Sequence, residues 1–311
     1  MFSVVIPLYN KGPHIRETLD SVLKQTHCPL EIIVVDDGST DDGPAIVSTY
    51  ADRGVRLVSQ SNQGVSVARN TGVTHASGDY VAFLDADDRW LPNHLQVAWH
   101  LVTEYPSAAL LTTAHLIERE NRTFRPRSTF PNGWEGIVPD FFSSYAQGLS
   151  LVNSSAAIVR RDALDSVGGF PQGVRRGEDI IVWVNLALNY PVAHAAVFTA
   201  IYNQQAVNRA EGIVETEPPG SLQHLCALMQ QQAGSPQQQR GIRRLFDSIA
   251  FFTAAGFCLN GDRTGATAIK RLSILCHRYK LAFSIAVLTL FPRSFLKIAR
   301  RYRHQQVVGG G

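Results

Sequence analysis

Clustered carboxylates follow two apolar runs of this sequence. The segments VVDDGSTDD (residues 34–42) and AFLDADDRW (residues 82–90) each pass directly from apolar residues into aspartates. The aspartates nearest the ends of these runs are Asp36, Asp37, Asp85, Asp87 and Asp88. Because like charges held close together repel each other, we expect a cation or hydrogen-bond donors to compensate them.

Asp85 and Asp87 have the spacing of a cation site. In an extended segment, residues two apart point to the same side, so both carboxylates would face one spot. Such oxygen ligands suit Mg²⁺ or Mn²⁺, which keep coordination positions open for phosphate oxygens. The alternative is that the aspartates cap the helices or turns that follow. The presence of two clusters at neighbouring strand ends favours the cation site.

The common phosphate-binding loops are absent from the sequence. The segment after the first apolar run is YNKGPH, which lacks the GxGxxG turn of dinucleotide-binding folds. It also lacks the Gly-rich, Arg-containing loop expected of a nucleotidyltransferase, which disfavours that class. No GxxxxGKS or GxxxxGKT occurs, which excludes a P-loop. A nucleotide would therefore have its phosphates held through a metal ion.

The composition predicts a globular protein of the cytosol. The 311 residues are 45% hydrophobic and 18% charged, with a net charge of +3, and they give no indication of a nucleic-acid partner. The four cysteines lie far apart and form no CxxC pair, so we expect neither a disulfide framework nor a zinc site. The start, MFSVVIPLYN, lacks the basic residues and long apolar stretch of a signal peptide.

Strand-like and helix-like segments alternate over the first two thirds of the chain. The predicted strands are 2–8, 30–37, 55–60, 80–87, 108–118, 155–161 and 192–202. The predicted helices are 13–26, 42–51, 65–76, 92–105 and 177–190. This alternation predicts an α/β fold with a parallel sheet. Ligands of such sheets bind beyond the carboxyl ends of the strands, where the aspartates lie.

Several segments together resemble the inverting glycosyltransferases of family 2, which have the GT-A fold. They are SVVIPLYNKGPHIRETLDSVLKQT, EIIVVDDGSTDD, NQGVSVARNTGVTHASGDYVAFLDADDRW, and GGF followed by GED. The resemblance covers residues 2–205 and implies a Rossmann-like, mostly parallel sheet flanked by helices. The helical pattern from residue 240 to the end predicts a C-terminal helical extension beyond it. It also implies transfer of a sugar from a nucleotide diphosphate to an acceptor hydroxyl, with inversion at the anomeric carbon.

The resemblance assigns the nucleotide-binding residues to the first part of the chain. Pro7 and Tyr9 match the end of the first strand, where the base is held against the ring. Asp37 matches the acid that hydrogen-bonds the base. The segment that closes over the nucleotide is matched by Asn62, Gly64, Arg69 and Asn70.

The resemblance also assigns the residues nearest the reaction. Asp85 would face the ribose, and Asp87 would hold the Mg²⁺ or Mn²⁺ that bridges the diphosphate. Asp179 of GED matches the catalytic base, with Glu178 beside it. Displacement at the anomeric carbon needs a base on the acceptor, and a helix N-terminus favours an ionised Asp179. The alternative is that Glu178 and Asp179 only cap that helix.

One stretch departs from the family pattern. Many members carry an aromatic-Arg-x-His motif after the closing strand, whereas this chain has YNQQAVN, with Asn203 and Gln205 at those positions. The third metal ligand is therefore undefined, and His194 is interpreted as a structural residue. The departure leaves open a catalytically impaired sugar-nucleotide-binding or scaffold protein. The QxxRW motif of processive synthases is missing after residue 205, which favours transfer of a single sugar.

The resemblance, together with the change of sequence pattern after residue 216, divides the chain into three parts. Residues 1–110 would bind the nucleotide sugar and residues 111–215 the acceptor, while residues 216–311 would form a basic, helical extension. Candidate acceptor contacts are Trp134, Tyr145, Asn153, Ser154, Trp183 and the arginines Arg119, Arg122, Arg125 and Arg127.

The C-terminal extension has the pattern of an interfacial membrane segment. Its apolar stretch LAFSIAVLTLF (residues 281–291) is too short to span a bilayer. Basic residues flank this stretch on both sides, which favours binding to an anionic leaflet. The alternative is a helical hairpin packed on the catalytic domain, or the interface of a homodimer.

These patterns together predict a cytoplasmic enzyme that is peripheral to the inner face of the cell membrane. Its sugar donor would be a nucleotide-diphosphate sugar, with a UDP-sugar favoured. Its acceptor would be a hydroxyl of a glycan or of a lipid-linked molecule. The product would belong to a cell-surface polysaccharide or lipopolysaccharide.

Overall fold

The computed structural model describes residues 1–120, 122–148, 150–174, 176–206 and 217–291. The chain divides into two units, Met1–Gly212 and Ile213–Gly311. The predictions that concern residues 207–216 and the basic segment after residue 291 lie outside the described residues.

In the described part of the first unit, the strands form one mixed sheet. They are β1 (Phe2–Leu8), β2 (Glu31–Asp36), β3 (Val55–Ser59), β4 (Tyr80–Phe83), β5 (Arg89–Trp90), β6 (Leu110–Arg119), β7 (Arg122–Phe124), β8 (Glu135–Ile137), β9 (Ala157–Arg160) and β10 (Val192–Asn203). The order across the sheet is β3-β2-β1-β4-β9-β6-β10-β5, with β7 paired to β6 and β8 paired to β10.

The sheet is parallel where helices carry the chain back between strands. β1 pairs in parallel with β2 and β4, and β2 pairs in parallel with β3. β1 is almost wholly buried, which is typical of a parallel strand covered on both faces. β9 runs antiparallel to both β4 and β6, so the start of β9 lies beside the end of β4.

Helices flank this sheet. They are α1 (Gly12–Leu23), α2 (Gly43–Ser48), α3 (Val65–His75), α4 (His94–Glu104), α5 (Phe141–Gln147), α6 (Arg161–Ser166) and α7 (Glu178–Asn189). In α1, Ile15, Leu19 and Val22 fall on one face and are fully buried. Pro13 lies in the first turn of this helix, where its missing N–H leaves no hydrogen bond unmade.

Two predicted elements differ from the structure. The strand predicted over 80–87 ends at Phe83, and residues 86–87 form a turn. Aspartate is a poor strand former, so the run of acidic residues after Leu84 ends the strand rather than extending it. The irregular loop predicted over 119–127 contains β7, which pairs antiparallel with β6.

The described part of the second unit is helical. Its helices are α8 (Gly220–Gln230), α9 (Pro236–Asn260), α10 (Arg263–Leu275) and α11 (Tyr279–Leu290). A capping box of Ser235 and Gln238 begins α9, and Gly261 ends it in the left-handed conformation. None of the described helices combines the length and apolar character needed to cross a bilayer.

A disulfide lies in the second unit. Cys226 of α8 and Cys276, directly after α10, are bonded with their Cα atoms 5.8 Å apart. The sequence prediction that the cysteines would remain unpaired is therefore wrong for these two residues. The reason is that helix packing brings together two positions separated by 50 residues in sequence, a proximity that cysteine spacing does not reveal.

Candidate active site

The aspartates after β4 lie in a turn rather than in an extended segment. The backbone N–H of Asp88 donates to the carbonyl of Asp85 at 3.0 Å. The expectation that Asp85 and Asp87 point the same way along a strand is therefore wrong. The two carboxylates instead bind different cationic side chains, Arg69 and Lys11.

The turn formed by Asp85, Ala86, Asp87 and Asp88 is called the aspartate turn below. Arg69 connects this turn to the start of α7. Its guanidinium donates to Asp85 Oδ1 at 2.8 Å and to Glu178 Oε1 at 3.0 Å. The residue is only 3% exposed, and its guanidinium carbon lies 5.2 Å from the centre of the Phe170 ring. Burial alone would lower the pKa of Arg69, but the carboxylates of Asp85 and Glu178 raise it overall, so the guanidinium stays charged.

Lys11 forms an ion pair with Asp87, the residue that the family resemblance assigns to the metal. Its ammonium nitrogen is 2.6 Å from Asp87 Oδ2, and both side chains are largely buried. Lys11 belongs to the YNKGPH loop directly after β1, and sequence reasoning did not select it. The signal available was its place after a parallel strand, at the edge of the sheet where the aspartates also lie.

Asp88 is a structural member of the turn. It is 1% exposed and accepts hydrogen bonds from the Ser155 hydroxyl at 2.5 Å and from the Asn203 backbone N–H at 2.8 Å. Burial, and then the nearby carboxylates of Asp85 and Asp87, raise the pKa of Asp88 well above its ordinary range. Asn203, where many members carry Arg, therefore supports the aspartate turn through its backbone.

Two consecutive serines join the aspartate turn to the predicted catalytic base. Ser154 donates its hydroxyl hydrogen to Asp179 Oδ2 at 2.9 Å. The Ser155 hydroxyl accepts from the backbone N–H of Asp85 at 3.1 Å and donates to Asp88. Both serines lie in the short 3-10 turn just before β9, which the antiparallel pairing places beside the end of β4. Ser154 was selected from the sequence, whereas Ser155 was not.

Asp179 lies at the start of α7, as the sequence predicts. Its Oδ1 accepts from the backbone N–H of Ile180 at 2.8 Å, and its side chain is partly accessible. Its neighbour Glu178 is buried. Burial, and then the charge of Asp179, raise the pKa of Glu178 to about 7, although Arg69 opposes this shift. Of the two acids in GED, Asp179 is thus the one that an acceptor could reach.

Asp37 organises the loop that precedes α3. Its carboxylate accepts from Gln60 Nε2 at 2.8 Å, from the Gln63 N–H at 2.9 Å and from the Gly64 N–H at 2.8 Å. Asp37 is 3% exposed, so most of its hydrogen-bonding capacity is directed at this loop. Gly64 has φ +91°, a backbone conformation that favours glycine.

Other residues assigned to the nucleotide are accessible. Tyr9, directly after β1, is 42% exposed, and Pro7 is half-buried. Asn62 is exposed within the loop that Asp37 orders. Asn70 instead binds the backbone of Phe170, with its side-chain amide donating to the carbonyl and accepting from the N–H.

The candidate acceptor residues differ in their accessibility in the structure. Trp183 is fully buried and packs edge-on against Phe170 with ring centres 5.9 Å apart, so its interpretation as an acceptor contact is wrong. Tyr145 is also buried, and burial together with the charge of Asp179 raises its pKa. Trp134 is half-buried and stacks on Phe130 at a ring-centre distance of 3.9 Å.

His194 is a structural residue, as the sequence predicts. Its Nδ1 lies 2.8 Å from the hydroxyl oxygen of Thr112 on the neighbouring strand, and the residue is 1% exposed. Burial lowers the pKa of His194 to about 4, so its imidazole is neutral at physiological pH.

The aspartate turn offers suitable oxygen atoms for a divalent cation without forming a complete cage. Among the described residues, no group of three or more His, Cys, Asp or Glu side chains is arranged to hold a metal ion. Mg²⁺ and Mn²⁺ can be held by one or two carboxylates when substrate phosphates supply the remaining ligands. The Lys11 ammonium shows that the Asp87 carboxylate already attracts a cation at this position. Asp87, with Asp85 beside it, therefore fits a metal that arrives with phosphate ligands.

The family model and two curated relatives that match this sequence are all described as glycosyltransferases. The family model described as glycosyl transferase family 2 matches residues 3–168, which is more than half of the chain. An uncharacterized glycosyltransferase of Rickettsia felis is 30% identical over 187 residues, covering 60% of this chain and 30% of that relative. The uncharacterized glycosyltransferase YibD of Escherichia coli is 46% identical over 104 residues, covering 33% of this chain and 30% of that relative. The match thus spans less than a third of the length of these curated relatives.

Solved structures resemble this chain over nearly its whole length. Residues 1–349 of S. aureus TarS, crystallised with UDP-GlcNAc, give a TM-score of 0.69 at 20% identity, covering 98% of this chain and 92% of that one. The mannosyltransferase PcManGT from Pyrobaculum calidifontis, in complex with GDP-Man and Mn²⁺, gives a TM-score of 0.58 at 21% identity, covering 93% and 87%. At these identities the likeness shows the fold, a mostly parallel sheet flanked by helices. Together with the family match, it shows that the chain belongs to glycosyltransferase family 2 and has the GT-A fold.

Proposed function

We propose that this protein is an inverting glycosyltransferase that moves a single sugar from a nucleotide-diphosphate sugar to an acceptor hydroxyl. The observation that carries the proposal is the pair Ser154 and Ser155. One serine binds the accessible carboxylate of Asp179, and the next binds the turn that contains Asp85 and Asp87. The proposed base for the acceptor and the turn that carries the carboxylates proposed for the sugar donor thus bind the same dipeptide.

Asp179 is the proposed general base. It would accept the proton of the acceptor hydroxyl as the hydroxyl oxygen attacks the anomeric carbon from the side opposite the leaving group. The bond from that carbon to the diphosphate oxygen breaks, and its electron pair leaves with the nucleoside diphosphate. The Ser154 hydroxyl donates a hydrogen bond to Asp179 Oδ2 and so helps to orient the carboxylate that would take this proton.

Asp87 and Asp85 would hold the divalent cation and the ribose side of the donor. A bound Mg²⁺ or Mn²⁺ would supply neutralisation of the charge that develops on the departing diphosphate. Arg69 holds Asp85 in place, because its guanidinium is buried and is paired with both Asp85 and Glu178. We therefore propose that Arg69 acts on the nucleotide through Asp85.

The base of the nucleotide would lie between Tyr9 and the loop that Asp37 orders. The exposed ring of Tyr9 can pack on a planar base, and Asn62 is an exposed amide within the loop that Asp37 orders. A UDP-sugar is the favoured donor on the family resemblance, and the UDP-GlcNAc bound to TarS agrees with that choice. The stacked pair Phe130 and Trp134 gives an aromatic surface suited to an acceptor sugar.

We also propose that the acceptor belongs to a cell-surface glycan and is carried on a lipid at the inner face of the membrane. The support is an exposed apolar stripe on α11: Tyr279 is 63% exposed, Phe283 72% and Leu290 78%. These positions follow helical spacing and lie on one face, and Lys280 is exposed beside them. Formation of a homodimer remains a prediction, which the mass of the protein in solution tests.

The alternative of a catalytically impaired binding protein rests on Asn203 and Gln205. The contacts of Asp179 with Ser154 and Ile180 disfavour it, because they hold this carboxylate in one orientation. Turnover distinguishes the two functions, since a binding protein would bind the nucleotide without releasing the sugar.

The test begins with the sugar donor. Thermal unfolding is measured with UDP-, GDP-, CDP- and dTDP-sugars, each with and without Mn²⁺, because a ligand of the folded state raises the midpoint. The donor that stabilises the protein is then assayed for release of nucleoside diphosphate, with and without candidate acceptors. Stabilisation by one donor with Mn²⁺, followed by turnover, is the expected result. Stabilisation without any turnover on the acceptor panel would instead favour the binding protein.

A further inference from the structure

The ion pair between Lys11 and Asp87 already neutralises the carboxylate that would bind the metal. Each carboxylate of the aspartate turn proposed to serve the sugar donor has a cationic partner, Arg69 for Asp85 and Lys11 for Asp87. The Lys11 and Asp87 side chains are 13% and 15% exposed, so bulk water screens their interaction only weakly. Adding a divalent cation to this neutral pair would place two like-signed ions on one carboxylate.

The backbone around Lys11 is fixed, so any rearrangement involves its side chain. Asn10 has φ +51° and accepts a hydrogen bond from the Thr40 N–H through its side-chain oxygen. The Asn10 N–H donates to the Ser39 hydroxyl. The Gly12 N–H is bound by Asp41. With both neighbours held by the loop after β2, the flexible four-carbon stem of Lys11 is the part that can move.

We propose that Lys11 is a built-in counter-ion of Asp87, which a divalent cation displaces only together with the sugar-donor diphosphate. This inference rests on the proposed function, because it takes Asp87 as the metal ligand. A free divalent cation would be repelled by the Lys11 ammonium, and the carboxylate of Asp87 is already neutralised. A cation bound to a diphosphate brings two compensating negative charges, and those phosphate oxygens offer the displaced ammonium a new partner. Lys11 thus sets the metal affinity and makes metal and nucleotide bind as one complex.

The direct test is binding of Mn²⁺ alone to nucleotide-free protein. The loss of the electron paramagnetic resonance signal of free Mn²⁺ reports binding without any catalysis. The wild-type protein is compared with Lys11→Met, with Lys11→Arg and with Lys24→Met, which removes an exposed lysine just after α1. We expect Lys11→Met to bind Mn²⁺ about tenfold or more tightly than the wild type, a change equivalent to about 1.4 kcal/mol. Lys11→Arg and Lys24→Met should bind it as weakly as the wild type.

The gain must depend on Asp87. The double variant Lys11→Met with Asp87→Asn should lose the added Mn²⁺ affinity, because the carboxylate that was released is no longer present. Circular dichroism of each variant confirms that it is folded, and Lys11→Gln replaces Lys11→Met if the latter does not fold. Addition of UDP or GDP should then raise the Mn²⁺ affinity of the wild type more than that of Lys11→Met, because only the wild type has an ammonium group on Asp87 for the diphosphate to compensate.

Two results would overturn the proposal. One is equal Mn²⁺ affinity in the wild type and Lys11→Met, including no binding by either. The other is a gain that persists when Asp87 is replaced by Asn. Failure of the proposed function looks different: no sugar nucleotide would be turned over, while the dependence of Mn²⁺ binding on Lys11 and Asp87 would stand unchanged.

Discussion

Arg69 Nη1 lies 3.0 Å from Glu178 Oε1, although 109 residues separate the two in sequence. The same guanidinium binds Asp85, so one buried cation joins the turn after β4 to the helix that begins with the proposed base. Glu178 itself is poorly accessible and directly precedes Asp179 in sequence, so this ion pair connects Arg69 to the residue beside the proposed base.

Replacing Arg69 with Met should destabilise the first unit by about 3–5 kcal/mol, since removal of this partner leaves the buried carboxylate of Glu178 uncompensated. Urea unfolding followed by tryptophan fluorescence measures this, because all four tryptophans precede residue 213. Arg53→Met is the matched control: Arg53 pairs with Asp20 at an exposed position, and such pairs contribute about 0–1 kcal/mol. Equal losses in the two variants would contradict a structural role for Arg69.

Asp179→Asn should lower kcat by about 10²–10⁴, because an amide cannot take the acceptor proton. The Kd for the nucleotide should stay unchanged, since the contacts proposed for the nucleotide come from other residues. Calorimetric titration with UDP and steady-state kinetics measure the two quantities separately. Asp165→Asn, at an exposed site in α6, controls for the loss of one negative charge. Normal turnover by Asp179→Asn would exclude this residue as the base.

The raised pKa of Glu178 predicts that stability falls as pH rises. The folded-state pKa is about 7 and the ordinary value is 4.5, so the folded state holds this proton more tightly than the unfolded state. The stabilisation is therefore complete below about pH 4.5 and is lost by the time the pH has risen through about 7. The unfolding free energy of the wild type relative to Glu178→Gln should fall by about 3 kcal/mol between pH 4 and 8. Glu104→Gln, at an exposed position, should show no such slope; a flat difference for Glu178→Gln as well would refute the assignment.

The apolar stripe of α11 should mediate binding to anionic membranes. Phe283→Asp places a charge on this stripe and should reduce co-flotation with vesicles of phosphatidylglycerol and phosphatidylcholine severalfold. Phe283 is mostly exposed, so we expect little effect on folding. Thr264→Asp adds the same charge at an exposed site in α10 and serves as the control. Unchanged flotation of Phe283→Asp, or no flotation of the wild type, would remove the support for a membrane-bound acceptor.

The Cys226–Cys276 disulfide should stabilise the second unit by about 4 kcal/mol, the loop-closure value for about 50 residues. Replacing both cysteines with Ala should lower the thermal midpoint of the oxidised protein and abolish its sensitivity to reducing agent. Cys28→Ala removes an exposed free thiol and should do neither. A reductant effect that survives in the double variant would show that the bond is not responsible.

The local sequence pattern was sufficient to predict most of the strands and helices of the first unit. Apolar runs and turn residues predicted β1, β2 and the closing strand β10, because burial and helical or extended spacing are properties of neighbouring residues. The same reasoning located Asp179 at a helix start. It failed at Asp85 and Asp87, where extended spacing was assumed but the acidic sequence forms a turn.

Sequence alone thus determined the family, the fold class and the identity of the acids available for chemistry. Tertiary structure decided which of those acids have partners. Lys11 meets Asp87 across 76 positions and Ser155 meets Asp88 across 67, contacts that depend on the pairing of β1 with β4 and of β4 with β9. The tertiary structure also placed Trp183 in the core and brought Cys226 and Cys276 together. Such contacts are set by sheet order and helix packing, and these long-range properties leave no mark in the spacing of residues along the chain.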